Sequence, residues 1–154
     1  MATDEKYGFV LHYPESWQKT SAIPGMLGLS PAGEDKDVYL NAVAYPITEL
    51  PGNLKSLDEV HQRDLELAKA AHGTILEDSD ITLGGIPAKM VRFSAAFDGE
   101  KHIISICGVK DGMVYGISFT APTEAKLREY EQAVRAIARD FETKTPATQP
   151  ADKP

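Results

Sequence analysis

The chain has 154 residues, 42% of them hydrophobic and 25% charged, an ordinary globular composition and about one domain's length of chain. Sixteen Lys and Arg against 23 Asp and Glu give a net charge of -7, which argues against nonspecific binding of DNA, RNA or an anionic lipid surface. No apolar run of about 20 residues is present to span a membrane, and the single cysteine, Cys107, can close no internal disulfide and supplies too few thiolates for a structural zinc site.

Residues 7–13 alternate, with Tyr7, Phe9, Leu11 and Tyr13 on one side and Gly8, Val10 and His12 on the other, the period of a strand that Pro14 stops. A loop then holds Trp17 and the Pro24-Gly25 turn, 26–29 allows a short strand, and 31–36 is a polar turn. A clear strand is predicted over 38–45, ended by Pro46, and 48–55 with Pro51-Gly52 is loop. Ser56 followed by Glu59 is a capping box, and Leu57, Val60, Leu67, Ala68 and Ala71 predict one face of a helix ending at Gly73.

Four β runs follow, over 74–83, 86–97, 101–109 and 113–120. Their separators, Gly84-Gly85, Asp98-Gly99 and Asp111-Gly112, suit two-residue hairpin turns, so the four runs predict an antiparallel meander. Thr123 is a candidate N-cap, and Leu127, Tyr130, Val134, Ile137, Ala138 and Phe141 recur at spacings of three and four, the strongest periodic signal in the chain. The charged face of that helix, including Lys126, Arg128, Glu131 and Arg135, reads as solvated. Residues 1–141 thus read as a single domain. Residues 142–154 carry three prolines and no apolar residue larger than Ala, and read as a disordered Pro-rich tail.

The strand patterns also suggest layering. In 86–97, Val91, Phe93, Ala95 and Phe97 share one parity, opposite Met90, Arg92 and Ser94, so one face of the meander reads as core. In 101–109, Ile103, Cys107 and Val109 oppose Ile104 and Ile106, the pattern of a strand covered on both faces. With two amphipathic helices available, the expected fold is α+β, an antiparallel sheet sandwiched by helices.

Each chemistry-bearing residue also has a structural reading. Gly28-Leu29-Ser30-Pro31-Ala32 approaches a nucleophile elbow, but Pro31 has no N–H to offer an oxyanion. Cys107 and His102 fall on opposite faces of one strand and cannot form a dyad, so Cys107 reads as a buried, inert residue. His61 and His72 lie about 16 Å apart along one helix and cannot share a metal ion. His61 with Asp64 could contribute two ligands, though a solvated helix surface is the simpler reading, and His12 and His102 read as hydrogen-bonded strand residues. Asp78-x-Asp80-x-Thr82 lacks the glycine and the closing glutamate of a calcium loop. No phosphate-loop, dinucleotide, zincin or Cys-x-x-Cys pattern is present. No catalytic residue, metal ligand or cofactor is assigned.

Four stretches resemble the PsbP-like family: Gly8-Phe9-Val10-Leu11-His12-Tyr13-Pro14-Glu15-Ser16-Trp17, Leu83-Gly84-Gly85-Ile86-Pro87-Ala88, Tyr115-Gly116-Ile117-Ser118-Phe119-Thr120-Ala121-Pro122 and Ile137-Ala138-Arg139-Asp140-Phe141. That family includes a photosystem II enhancer protein, bacterial envelope lipoproteins and a transport factor that binds the Ran GTPase. The resemblance implies an α/β/α sandwich around an antiparallel sheet, and proteins that act mainly as binding or assembly components. Residue by residue, the matched positions read as structure, with Trp17 closing one end of the core.

The expectation is therefore a non-enzymatic protein-binding or assembly module of the bacterial cell envelope, periplasmic or otherwise extracytoplasmic. Residues 1–6 have neither the basic start nor the apolar stretch of a signal peptide, so export or tethering would use a segment outside this chain, and a cytoplasmic location is the other reading. Its partner would meet a sheet edge, the acidic Glu77, Asp78 and Asp80 region or the loop over 46–55. The protein would be a monomer or, through an open sheet edge, a weak homodimer. Two alternatives stand beside it: a small-molecule or metal-ion binding protein with a pocket near Trp17 and His12, and a hydrolase built on His102, His12 and carboxylates.

Overall fold

The computed structural model describes residues 1–31, 33, 37–96 and 99–143. In chain order they form β1 (Ala2–Thr3), β2 (Val10–Leu11), β3 (Trp17–Ile23), β4 (Met26–Pro31), β5 (Tyr39–Pro46), a 3-10 turn (Ile47–Glu49), α1 (Leu57–Ala70), β6 (Thr74–Leu83), β7 (Ile86–Ala96), β8 (Glu100–Lys110), β9 (Met113–Ala121) and α2 (Glu124–Arg139). Seven strands make one antiparallel sheet in the order β3-β4-β5-β9-β8-β7-β6, and β1 pairs with β2 apart from it. The meander is as expected. Gly84 and Gly85 (φ 58° and 85°) and Asp111 and Gly112 (φ 51° and 77°) hold both central turn positions at positive φ, the twist-matched hairpin geometry. Asp98, Phe97 and most of the predicted tail, 144–154, lie outside the described residues.

The two helices lie on opposite faces. The Ser56 and Thr123 side chains accept the N–H groups of Glu59 and Lys126, capping α1 and α2 as predicted. α2 packs against β6, β8 and β9, and its Leu127, Val134, Ile137 and Ala138 join the larger core with Leu29, Leu40, Ile104, Ile106, Ile117 and Phe119. α1 packs against β6, β7 and β8, where Val60 meets Ile47, Cys107 and Val114 in a smaller cluster.

Several expectations are corrected. The strand over 7–13 shrinks to β2 and stays outside the main sheet. Phe9, Val10 and Leu11 are all buried, because the chain after α2 covers the far side: Val10 N–H donates to Glu142 O at 2.8 Å and Glu142 N–H to Val10 O at 3.1 Å. Glu142, assigned to the tail, thus still pairs with the domain. The loop expected around Trp17 is the edge strand β3, whose alternation is hidden because every residue after Trp17 is exposed and the register shifts between Lys19 and Ser21. Met90 and Val91 are both buried, so β7, like β8, is covered on two faces rather than one. On α1, Leu67 is 52% exposed while Val60 and Ala68 are buried. The helix stops when His72, not Gly73, takes the left-handed conformation (φ 61°).

The four stretches that carry the family resemblance converge on Phe141. Its ring stacks on Phe9 with centroids 5.6 Å apart and meets Tyr115 edge-on at 5.8 Å. Gly84 N–H donates to Ala138 O at 2.8 Å, tying the β6–β7 turn to the end of α2. The N-terminal segment is tied down similarly: buried Asp4 accepts the N–H groups of Tyr7 at 2.6 Å and Gly25 at 2.7 Å.

Candidate functional site

Of the predicted candidates, none assembles with another into a catalytic or metal-binding group. Trp17 is 6% exposed and packs against Phe119 (6.2 Å) and, edge-on, Tyr130 (6.0 Å), so its ring is occupied by the protein's own core. His12 Nε2 pairs with the Glu142 carboxylate. His61 pairs across to β6, with Nε2 2.9 Å from Asp78 Oδ1, rather than with Asp64. His72 is an exposed helix-end residue. His102 is buried on the α2 side, its Nε2 beside Glu100, and its Nδ1 has no hydrogen-bond partner. Cys107 is buried on the α1 side of the same strand, so the two are separated by the sheet. Among the described residues no group of three or more His, Cys, Asp or Glu could hold a metal ion.

The acidic stretch is largely balanced by cations. A bulge after Ile75 reverses the strand's parity, sending Glu77 toward α2 and Asp78 toward α1. Glu77 lies 3.5 Å from Arg92 and 3.9 Å from Arg135, Asp78 pairs with His61, and Asp80 sits 2.6 Å from Lys89 Nζ. The Lys89 hydrogen bond holds the Asp80 carboxyl below its ordinary pKa. These are cross-strand and strand-to-helix supports.

A different place stands out, and Asp64 marks it. On α1 Asp64 is four residues after Val60 and four before Ala68, at the centre of the stripe that faces the sheet. Its side chain is 33% exposed, and its nearest cation, Arg63 Nη1, is 3.9 Å away, beyond hydrogen-bond distance. Burial raises its pKa above the ordinary carboxylate value, with Arg63 and His61 opposing. Asp64 borders two adjoining hollows. One, about 280 Å³, lies beneath the C-terminal half of α1 between Leu67, Ala68 and Ala71 and the strand residues Val91, Phe93, Ile103 and Ser105. The other, about 170 Å³, opens over β5, β9 and β8 beside Asn41, Tyr45, Ser105, Cys107 and Ser118.

One row crosses all seven strands, Ser21, Gly28, Asn41, Ser118, Ser105, Val91 and Asp78, and its Asn41, Ser118, Ser105 and Val91 line the hollows. Its residues are small and polar where α1 no longer covers the sheet, as a solvated antiparallel face requires. A Cβ on Gly28 would lie 2.5 Å from Ser21 Oγ and 3.3 Å from Asn41 Oδ1, so the missing side chain lets its neighbours close over it. The nucleophile candidates here are held protonated: burial pushes the Tyr45 hydroxyl up to about 12 and the Cys107 thiol up to about 12, with Asp64 adding to both. The site therefore offers a partly buried carboxylate, hydroxyls and an amide beside apolar walls, with no activated nucleophile among these groups.

No protein-family model matches the chain, and no curated protein matches it in sequence. Solved structures do. The solution structure of cyanobacterial PsbP (CyanoP) from Synechocystis sp. PCC 6803 matches with a TM-score of 0.64 at 15% identity, over 93% of this chain and 91% of that one. The fold is PsbP/Mog1-like. LpqN, involved in cell envelope biogenesis of Mycobacterium tuberculosis, shares that fold with a TM-score of 0.62 and 19% identity, over 90% of this chain and 83% of its own. The Saccharomyces cerevisiae Ran-binding protein Mog1p matches at 0.61 and 10% identity, over 88% of this chain and 89% of its own. The expected PsbP-like architecture is thus observed, and no helix among the described residues is long and apolar enough to cross a membrane.

Sequence reasoning reaches Asp64 only as a possible ligand beside His61 on a solvated helix surface, whereas the structure sets it, two-thirds buried, at the cleft. The signal was present: an acidic residue at the midpoint of an apolar helical stripe. Ser105, Ser118 and Asn41 offered no such signal, because only the strand order aligns them.

Proposed function

We propose that the protein is a non-enzymatic binding module of the bacterial cell envelope, and that it meets a partner protein at the cleft beneath α1 and the open polar sheet beside it. The observation that carries this reading is Asp64. Burial disfavours the charged form of this carboxylate, whose nearest cation among the described residues stands 3.9 Å away, and the fold holds it at the mouth of a preformed hollow, a position with a use in recognition. Leu67, 52% exposed, adds an apolar contact at the rim. The pKa values near 12 of Tyr45 and Cys107 support recognition over nucleophilic chemistry. The envelope assignment draws on the fold shared with LpqN.

The test is capture from envelope and soluble fractions of the source organism with the wild-type chain, Leu67→Glu and, on the opposite face, Arg128→Ala. A protein retained by wild type and Arg128→Ala but lost with Leu67→Glu supports the reading. Capture that is indifferent to Leu67→Glu, or turnover of a substrate that depends on Asp64, overturns it.

A further inference from the structure

Asp64 and Ser105 are the polar side chains lining the 280 Å³ hollow; its other walls are apolar. That combination restricts the occupant. A neutral apolar group would remove the remaining water from the carboxylate and give it no partner. An anion would meet Asp64 at short range inside a chain of net charge -7. A small hydrated cation would leave Val91, Phe93 and Ile103 facing water. An alkyl chain ending in a cation satisfies both halves, its stem on the apolar walls and its head at the carboxylate. The volume lies just under the range of pockets for drug-sized ligands, which suits a single side chain.

Arg63 does not already fill this role. Adjacent helical residues do not face one another, and Arg63 borders the depression on the outer side of α1 with Glu59 and Glu66. The surroundings favour a macromolecular source for the cation. Leu67 stands exposed at the mouth, and the row through Ser118 and Asn41 continues away from it as an open surface on which a partner's backbone can lie.

We infer that the cleft beneath α1 takes the side chain of a lysine or arginine from a partner protein, with the alkyl stem over Val91, Phe93 and Ile103 and the cationic head at Asp64 and Ser105. This rests on the binding-module reading and names the chemistry the partner presents.

The test uses the full chain with labelled methyl groups, followed by NMR during titration with n-hexylammonium and, as its neutral counterpart, 1-hexanol. The expected result is a saturable shift of the Ala68, Ala71, Val91 and Ile103 methyl signals with hexylammonium, in roughly the millimolar range for so few atoms. The affinity should fall about tenfold or more in Asp64→Asn, the loss of one buried charge interaction. Ala71→Met, which fills the mouth, should also abolish the response and serves if Asp64→Asn perturbs the fold. Equal shifts with hexanol, or none with hexylammonium up to about 50 mM, overturn the inference. A Gly-Gly-Lys-Gly-Gly peptide binding at least as tightly as hexylammonium supports a protein source; weaker binding overturns it in favour of a free alkylamine. The two readings fail separately. Hexylammonium binding without any Leu67-dependent capture removes the module reading and leaves the cation site, whereas Leu67-dependent capture without hexylammonium binding does the reverse.

Discussion

Replacing Gly84 by alanine tests whether the β6–β7 turn is fastened to the end of α2. A Cβ at Gly84 would stand 1.8 Å from Phe141 O and 2.7 Å from its carbonyl carbon, both backbone atoms, in a residue at φ 58°. Relief requires the Phe141 backbone to retreat by about 1 Å, because the Gly84 position is itself held by its 2.8 Å bond to Ala138 O. That movement loosens one hydrogen bond, worth roughly 1 kcal/mol, and two ring contacts of Phe141, worth about 0.5–1.5 kcal/mol each. Left-handed strain on a non-glycine residue adds about 1–2 kcal/mol. Gly84→Ala should therefore lose roughly 3–6 kcal/mol, a large share of a typical domain's stability. Gly85→Ala is the matched control: its φ is 85°, nothing lies within 4 Å of its Cβ position, and only the strain of about 1–2 kcal/mol applies. Urea unfolding followed by far-ultraviolet circular dichroism and by the fluorescence of Trp17, the single tryptophan, measures both. Equal losses in the two variants would refute the reasoning, since the clash with Phe141 is what distinguishes them.

Three further outcomes follow from the same structure. Asp4→Ala leaves the Tyr7 and Gly25 N–H groups without their acceptor and should cost roughly 2–4 kcal/mol in urea unfolding, although Asp4 lies near the chain terminus; a loss under about 0.5 kcal/mol would show that the N-terminal segment is not fastened this way. Asp64→Asn should be more stable than wild type near neutral pH. Burial raises the folded Asp64 pKa above its unfolded value, so the folded chain holds that proton more tightly and wild-type stability from this group declines as pH rises between the two values. The advantage of Asp64→Asn should accordingly shrink in acid, and an advantage that grows in acid would contradict the sign. Finally, with its pKa pushed up to about 12, Cys107 is thiolate in about one part in 10⁴ at pH 8, so a thiol-reactive disulfide reagent should label it only after unfolding. Rapid labelling of the native chain would place Cys107 in an exposed setting.

What could be read from residues alone depended on how many of them reported the same thing. The meander was legible because turn glycines, Asp-Gly pairs and alternating runs agree, and α2 because Leu127, Val134, Ile137 and Ala138 repeat without interruption. β3 was hidden because Gln18, Lys19, Thr20 and Ser21 lie on an exposed edge interrupted by a register shift, and no apolar alternation survives there. Leu67 misled because its apolar side chain belongs to the rim of the cleft rather than to the core. Trp17, 6% exposed, belongs to the core even though the strand it opens carries no apolar pattern. The candidate site was nearly invisible, since Asn41, Ser105 and Ser118 come from three strands whose adjacency depends on long-range pairing, and Asp64 alone broke a local pattern.

The convergence on Phe141 bears on how likeness in this fold should be used. Phe9, Gly84, Tyr115 and Ala138 are drawn from distant parts of the chain and knotted together on the α2 side of the sheet, whereas Asp64 and its cleft lie on the other side. The sheet insulates one from the other. Two chains can therefore share the knot in full and differ at every position of the cleft, each keeping its frame while its recognition surface is rewritten. Likeness traced through the knot is likeness of a scaffold, and ligands have to be sought on the side that carries none of the matched landmarks.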